Sequence, residues 1–344
     1  MKILLTGGGT AGHVMPSVAL IPYLTKYFDD ILYVGSESGM ERDIITSLSI
    51  PYYTTPTVKF DRAKPWSLLS IPYRLSLAKK NAKNLVSELS PDVVFSKGGY
   101  VALPTVLASK SLSIPIAIHE SDYTMGLANK VSSRYADIVM TNFPSTYPNA
   151  QVVGIPLRDE IFVKRDKSLY KKYKLNPKIP TLLVTGGSSG AKLLNDVVID
   201  ALPRLTTLYN VVHLTGGKCE SISREGYLPI TYTRDIGELF ALSDLVISRA
   251  GANTSTELLA LGKKVLFVPL EHSGRGDQVQ NAKYYEDNGY SMTLRQSNLT
   301  SQKLIESILR LENFQPKVYP YDRHSPKLIA ETLYSLAKQN RRKH

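Results

Sequence analysis

The chain has 344 residues, 43% of them hydrophobic and 21% charged, which excludes global disorder and suits two globular domains better than one core. Its single cysteine, Cys219, excludes an internal disulfide and a thiolate zinc cluster, and points to a reducing compartment. The formal net charge of +12 favours an anionic partner (nucleic acid, a membrane face or a charged small ligand), and the location of the charge must decide among them.

In chain order, residues 3–6 predict a short apolar strand. The run stops at Thr6-Gly7, so a secretory signal is not expected, and no stretch approaches the ~18 apolar residues of a membrane span. The strand runs into LLTGGGTAGHVMP (4–16), and Val18, Ala19, Leu20, Tyr23 and Leu24 give residues 16–24 helical spacing. Residues 31–34 predict the next strand, ended by Gly35. Leu75, Ala78, Ala82, Leu85 and Leu89 step by three and four, so that helix has a core face. Residues 93–95, 115–118 and 138–140 predict further buried strands.

The break falls between Gly154 and Pro180, where a polar, proline-flanked stretch follows GIPLRDE. The rhythm then restarts. Strands are predicted at 182–184, 210–214, 245–248 and 265–268, and helices at 193–205, 235–242, 254–261 and 278–287. This alternation predicts an α/β fold of two Rossmann-like, doubly wound domains with parallel sheets, facing each other across a cleft. A second glycine turn, LLVTGGSSGAKLLN (182–195), sits after the first strand of the second domain, as the first does in its own.

Gly7, Gly8, Gly9 and Gly12, and again Gly186, Gly187 and Gly190, let the backbone turn sharply before a helix whose N-terminus suits a phosphate. Plain strand–helix packing asks for the same residues. Neither turn is a P-loop, because no Lys-Ser/Thr follows the last glycine. In SRAGANTSTELLALG (248–262), Asn253 or Thr254 is expected to cap a helix, with Thr254 and Glu257 spaced as a capping box. Glu257 thus reads either as a cap or, one turn into the helix, as an acceptor for two ribose hydroxyls. His13, at a helix N-terminus, reads as structural or as a base kept neutral by the dipole. His119-Glu120 ends a strand, His213 lies inside one and reads as structural, and His272 is unassigned. No HExxH or carboxylate cluster calls for a catalytic metal, so none is expected.

The segments GGGTAGH, FSKGGYVALP, HESDYTMGLANK, YPNAQVVGIPLR, GGSSGAKLLN, HLTGG, SRAGANTSTELLALG and GRGDQVQNA occur in one order. That order resembles the MurG family of peptidoglycan glycosyltransferases, in the form seen in low-GC Gram-positive bacteria. The resemblance runs from Met1 to about Tyr290 and more loosely through the last helix. It implies a GT-B enzyme of cell-wall growth that moves N-acetylglucosamine from UDP-N-acetylglucosamine to lipid I, giving lipid II. It implies inversion at the anomeric carbon, no metal and no cofactor. Residues 1–157 would take the acceptor and the membrane, residues 158–325 the donor, and the helix in 326–344 would pack back on the first domain. A related lipid glycosyltransferase, such as a diacylglycerol galactosyltransferase, is the nearest rival. A nucleic-acid binder lacks any recognition motif here, and a catalytically dead sugar-nucleotide sensor lacks a reason to keep every motif.

The resemblance assigns His13 as first choice of general base, with Glu120 or Asp122 as alternatives. It assigns Thr10, Gly12, Asn129, Arg158, Ser188, Thr233, Arg249, Asn253, Glu257, Asp277 and Gln278 to the donor. Within that set Glu257 takes the ribose, Ser188 the diphosphate, Gln278 the sugar hydroxyls, and Thr233 sits at the uracil edge. Gly9, Tyr100 and His119 fall on the acceptor side. Ala11, Asp122 and Ile155 depart from the residues usual in the family. The lipid-linked acceptor also implies an anionic membrane surface as partner, at the cytoplasmic face, with the protein peripheral to it. Lys59, Arg62, Lys64, Arg74, Lys79, Lys80 and Lys83, interleaved with Trp66, Leu68, Leu69 and Ile71, are the basic face expected there, unless they form only a solvated helix face. Oligomeric state is not legible.

Overall fold

The computed structural model describes residues 1–57, 70–144, 147, 149–187, 190–219, 222–272 and 276–342. They form two compact units, Met1–Arg158 with Asp322–His344, and Asp159–Tyr321.

In the first unit the strands are β1 (Lys2–Thr6), β2 (Asp30–Gly35), β3 (Tyr52–Thr54), β4 (Val93–Ser96), β5 (Ile116–Glu120), β6 (Ile138–Thr141) and β7 (Gln151–Val152). The helices are α1 (Ala11–Leu24), α2 (Met40–Thr46), α3 (Ile71–Leu89), α4 (Leu103–Ser111) and α5 (Leu127–Ser132). All neighbouring strands pair in parallel, in the order β3-β2-β1-β4-β5-β6-β7. The run Ile3-Leu4-Leu5 is continuous because β1 is covered on both sides. Ile3 and Leu5 pack with Val14, Leu20 and Leu24 of α1, while Leu4 packs with Ala82 and Val86 of α3 and Ala108 of α4.

The second unit holds α6 (Lys167–Lys172), β8 (Thr181–Thr185), α7 (Lys192–Leu205), β9 (Asn210–Leu214), β10 (Tyr227–Ile230), α8 (Ile236–Leu242) and β11 (Leu245–Ser248). It continues with α9 (Ala252–Ala260), β12 (Lys264–Phe267), α10 (Asp277–Asp287), β13 (Met292–Thr293) and α11 (Ser301–Asn313). The parallel order is β10-β9-β8-β11-β12-β13. Strand order reverses beside β1 in one sheet and beside β8 in the other, and each reversal opens a crevice at the C-terminal strand ends.

The alternation predicted from sequence is present in both units. Four short edge strands were not foreseen: β3, β7, β10 and β13 have only two to four residues each, too few to carry a periodic signal. Helix α1 starts at Ala11, five residues before the predicted start, and carries Pro16 and Pro22 inside it.

Helix α12 (Ser325–Arg341) returns to the first unit. Its stripe Ile329, Ala330, Leu333 and Ala337 is fully buried in the β1 core. Arg341 donates twice to Asp92, at 2.6 and 3.0 Å; a partly exposed pair of this kind contributes only ~0–1 kcal/mol, so the apolar stripe does most of the holding. Among the described residues no helix is long and apolar enough to cross a membrane.

Leu333→Ala should therefore destabilise the chain by about 2–5 kcal/mol in urea unfolding. A loss well under 1 kcal/mol would mean that α12 lies on the core without completing it.

Candidate functional site

In the first unit the loops after β1, β2, β4 and β5 gather at one edge of the sheet. Gly9 has φ +85°, and a Cβ there would stand 2.7 Å from the Tyr100 ring. Gly99 has φ +81°, and a Cβ there would stand 2.5 Å from the Gly8 carbonyl oxygen and 3.3 Å from His13 Nδ1. Glycine suits both positions because each has positive φ and the loops are in close contact, Gly99 against the Gly8 backbone and Gly9 against the Tyr100 ring. This contact brings Gly9, Tyr100 and His13 together. Thr10 is the N-cap of α1, yet its hydroxyl does not cap the helix. Thr10 Oγ1 lies 2.9 Å from His13 Nδ1 instead, and His13 N–H bonds the Thr10 carbonyl at 3.0 Å. Gly12 and His13 stand in the first turn of α1 and are half-buried.

Glu41, in the first turn of α2, braces the glycine turn from behind. Its fully buried carboxylate accepts the N–H groups of Gly9 and Ser36, both at 3.2 Å, and the Ser36 hydroxyl. Tyr33 donates its hydroxyl to the Gly7 carbonyl at 2.9 Å. The Gly9 N–H, in the turn that the sequence marked for sharp bending before a helix, is thus taken by a carboxylate. Burial, and secondly the Glu41 charge, push the Tyr100 phenol up, so it stays protonated.

The β5 end is internal rather than open. The His119 ring is fully buried: Nε2 meets the Gly154 carbonyl at 2.8 Å and Nδ1 the Lys97 ammonium at 2.5 Å. Burial, and then the Lys97 charge, hold the imidazole well below its ordinary value, so it is neutral. Glu120 accepts the N–H groups of Asp122 at 3.0 Å and Gly126 at 2.8 Å, and the Asn129 amide at 3.0 Å. Asn129, assigned to the donor by sequence, is buried in the first unit and also donates to the His119 carbonyl at 3.2 Å. Asp122 is half-buried, and Arg158 is the half-buried last residue before the second unit. Four residues assigned to the donor, Thr10, Gly12, Asn129 and Arg158, thus belong to the first unit.

In the second unit, Ser188 lies outside the described residues. A Cβ on Gly190 of its glycine turn would stand 2.5 Å from the Thr215 carbonyl oxygen, in the loop after β9, and that loop is itself held. Asn195 of α7 donates to the carbonyls of Thr215 at 2.9 Å and Lys218 at 3.2 Å, and its Oδ1 accepts from His213 Nε2 at 3.1 Å. His213 Nδ1 then accepts the Tyr227 hydroxyl at 3.1 Å. Next to the turn, Arg249 is buried at the end of β11 and donates to the Val268 carbonyl at 2.9 Å. The capping box expected at Thr254 and Glu257 does not form. Helix α9 begins at Ala252, Gly251 is its N-cap, and no side chain caps it. The chain enters the helix two residues earlier than predicted, so Thr254 already has helical backbone and Glu257 stands in the second turn, half-buried. Asn253 is in the first turn, half-buried. Asn281 of α10 fixes this turn by donating to the Ala250 carbonyl at 3.0 Å. Asp277 opens α10, and Gln278 Oε1 accepts the Leu270 N–H at 3.0 Å. Thr233 Oγ1 accepts the Asp235 N–H at 2.9 Å, just before α8. Among the described residues no three His, Cys, Asp or Glu are grouped to hold a metal ion.

Residues 3–141 match the glycosyltransferase family 28 N-terminal domain and residues 181–339 the glycosyltransferase family 28 C-terminal domain. A Lachnospira eligens protein named UDP-N-acetylglucosamine--N-acetylmuramyl-(pentapeptide) pyrophosphoryl-undecaprenol N-acetylglucosamine transferase is 42% identical over 320 residues, 90% of each chain. A Clostridium perfringens protein of the same name is 41% identical over 329 residues, 92% of this chain and 91% of its own. The crystal structure of Acinetobacter baumannii MurG is 27% identical, with a TM-score of 0.73 over 99% of this chain and 94% of its own. The chain belongs to the MurG family of glycosyltransferases.

Against the family pattern, Ala11 is simply the first residue of α1, and Ile155 is fully buried in the first unit. Sequence reasoning missed Glu41, Lys97, Asn195 and Asn281. An acid in the first turn of a helix after a glycine was the available signal for Glu41. The other three are polar residues inside quoted motifs whose partners lie on other strands or in the loops that follow them.

Both buried histidines make the fold acid-sensitive. Burial lowers His213 to about 4, against about 6.5 in an unfolded chain. Between those values the unfolded chain binds a proton that the fold refuses, so stability falls as pH drops from about 6.5 to about 4 and is flat above. His119 acts with the same sign. His213→Gln should be less stable at pH 7 but lose part of that acid slope in urea unfolding. Equal slopes in the two proteins would exclude His213 as a contributor.

Proposed function

We propose that this chain transfers N-acetylglucosamine from UDP-N-acetylglucosamine to the muramyl 4-hydroxyl of lipid I, forming lipid II. The observation that carries the reading is 41–42% identity, over nine-tenths of the chain, to transferases named for that reaction. The shared name also favours this reaction over galactose transfer to diacylglycerol.

The reaction is a single inverting displacement that uses no metal. The acceptor oxygen bonds to the anomeric carbon, the bond from that carbon to the diphosphate oxygen breaks, UDP leaves, and the hydroxyl proton passes to a base. His13 is that base. For Nε2 to accept the proton, Nδ1 must carry its own hydrogen and donate it to Thr10 Oγ1, 2.9 Å away. Glu120 is the poorer candidate because Asp122, Gly126 and Asn129 already donate to its carboxylate; Asp122 is the reserve. The departing diphosphate is held in the second unit, by the 186–190 turn with Ser188 and by the N-terminus of α9, beside the Arg249 cation. The first glycine turn suits this task less, because the Glu41 carboxylate stands behind it. Glu257 accepts the ribose hydroxyls and Gln278 the sugar hydroxyls, with Asp277 beside it. Tyr100 and Gly9 shape the acceptor side.

The protein works at the cytoplasmic face of the membrane, held peripherally. Lys59, Arg62, Lys64, Trp66, Leu68 and Leu69 lie outside the described residues. On α3, Arg74, Lys80 and Lys83 are exposed, and so are Tyr73 (75%) and Leu77 (49%). Tyr73, Leu77 and Lys80 fall opposite the buried stripe Ala78, Ala82, Val86 and Leu89, one face for lipid and one for the core. Each basic residue near an anionic leaflet contributes about 1 kcal/mol.

The test is UDP release from UDP-N-acetylglucosamine with and without a lipid I analogue, with UDP-galactose as the competing donor. Acceptor-dependent release from the first donor only is expected. His13→Ala should lower kcat by about 10²–10⁴-fold with little change in donor KM, whereas Glu257→Gln should raise donor KM, a charged hydrogen bond being worth ~1.5–3 kcal/mol. Near-normal kcat in folded His13→Ala would move the base to Asp122.

Replacing Lys79, Lys80 and Lys83 with glutamate should sharply reduce binding to anionic vesicles, most at low salt, because screening acts beyond ~10 Å at ~0.1 M. Activity on a soluble short-chain acceptor should survive. Wild-type vesicle binding at every salt concentration would leave α3 a solvated face only.

A further inference from the structure

Lys97 is the first residue after β4, heads the loop that carries Gly99 and Tyr100, and is only 1% exposed. Its ammonium donates to His119 Nδ1 at 2.5 Å and to Ser121 Oγ at 2.7 Å, one partner in β5 and one just beyond it. The ring's other nitrogen faces the Gly154 carbonyl, which can only accept. Nε2 must therefore carry the hydrogen, and Nδ1 must accept from Lys97. A doubly protonated ring would set two donors against each other, and the opposite neutral tautomer would fail at both ends.

We propose that Lys97 is a positioning residue for the transfer, fixing His119 in the Nε2–H tautomer and clamping the 119–122 segment to the loop that packs on His13. This rests on the reading of the first unit as the acceptor side.

Three contacts carry the clamp from strand to strand. Lys97 ties the β4 end to His119 and Ser121, and His119 ties β5 to Gly154, in the segment that leads to Arg158. The Lys97 loop meets the first glycine turn where Gly99 abuts Gly8 and His13. A buried ammonium is costly unless paired. Burial lowers Lys97 to about 7, and the Glu120 and Asp122 charges oppose that fall. An apolar side chain would avoid this cost but could hold neither His119 nor Ser121. Lys97 itself is too deep to touch a substrate, so its effect passes through Glu120, Asp122 and the Tyr100 loop.

The experiment compares the full chain with Lys97→Met, close in size but without donors. Expected is a fall of about 10–100-fold in kcat/KM for a lipid I analogue, with donor KM unchanged, since displacements near 1 Å can cost ~10²-fold. Imidazole ¹⁵N spectra, assigned with His119→Gln, should show a neutral Nε2–H ring in the wild type. The Nδ1 signal should move toward an unbonded nitrogen in Lys97→Met. If that variant does not fold, Ser121→Ala removes one end of the clamp and should give a smaller loss, again confined to the acceptor. Wild-type acceptor kinetics, an equal change in donor KM, or an unmoved Nδ1 signal would each overturn the proposal. A wild-type chain that makes no product from UDP-N-acetylglucosamine would instead overturn the functional reading, and the ¹⁵N spectra would still report whether Lys97 holds His119.

Discussion

A parallel strand covered on both faces can present chemistry only at its end. Ile3, Leu4 and Leu5 of β1, and Leu182, Leu183 and Val184 of β8, are completely buried. Every side chain along these strands is committed to one of two packed faces. Because all paired strands run in one direction, their loops collect at one edge of each sheet. Each sheet has its own crevice where strand order reverses, beside β1 in the first unit and beside β8 in the second. The two glycine turns occupy those positions, and the location of the candidate residues in each unit follows from this arrangement.

Loops at a strand end need fixing, and here buried polar groups fix them. Glu41 holds the Gly9 N–H, His119 links Lys97 to Gly154, Glu120 gathers Asp122, Gly126 and Asn129, and His213 joins Asn195 to Tyr227. Each of these side chains would be costly if left unpaired in the interior, so each favours a single loop conformation. The two buried histidines play the same part in the two units: Nε2 donates to an oxygen and Nδ1 accepts from a neighbour. From the sequence alone His119 reads as an acceptor-side residue and His213 as structural. In the structure His119 and His213 are internal braces, and His13 is the one beside a glycine turn with its ring only half-buried.

The excess positive charge divides into two kinds. Lys97 and Arg249 are buried and held by internal acceptors. Arg74, Lys80 and Lys83 are exposed on α3 beside Tyr73 and Leu77, on the side of the helix away from its buried stripe. Buried cations organise loops. Exposed ones set long-range attraction, which salt weakens.

The sequence by itself determined the βαβ rhythm, the parallel sheets, the two glycine turns and the family, because these rest on local apolar runs and on ordered motifs. It also placed His13 and Gln278 at helix starts and Glu257 one turn into a helix, and the family motifs placed Tyr100 in a glycine turn. It misread the entry to α9, since a Thr-x-x-Glu spacing looks the same whether the cap is Thr254 or the helix already began at Ala252. It could not separate His119 from His13, because burial and the identity of the group facing each ring nitrogen depend on strand pairing. Only the tertiary structure decided that Glu41 lies behind Gly9, that Asn129 is interior, and that Lys97 reaches His119. Those contacts join residues 10 to 32 positions apart, and their physical cause is the register of parallel strands, which no local pattern encodes.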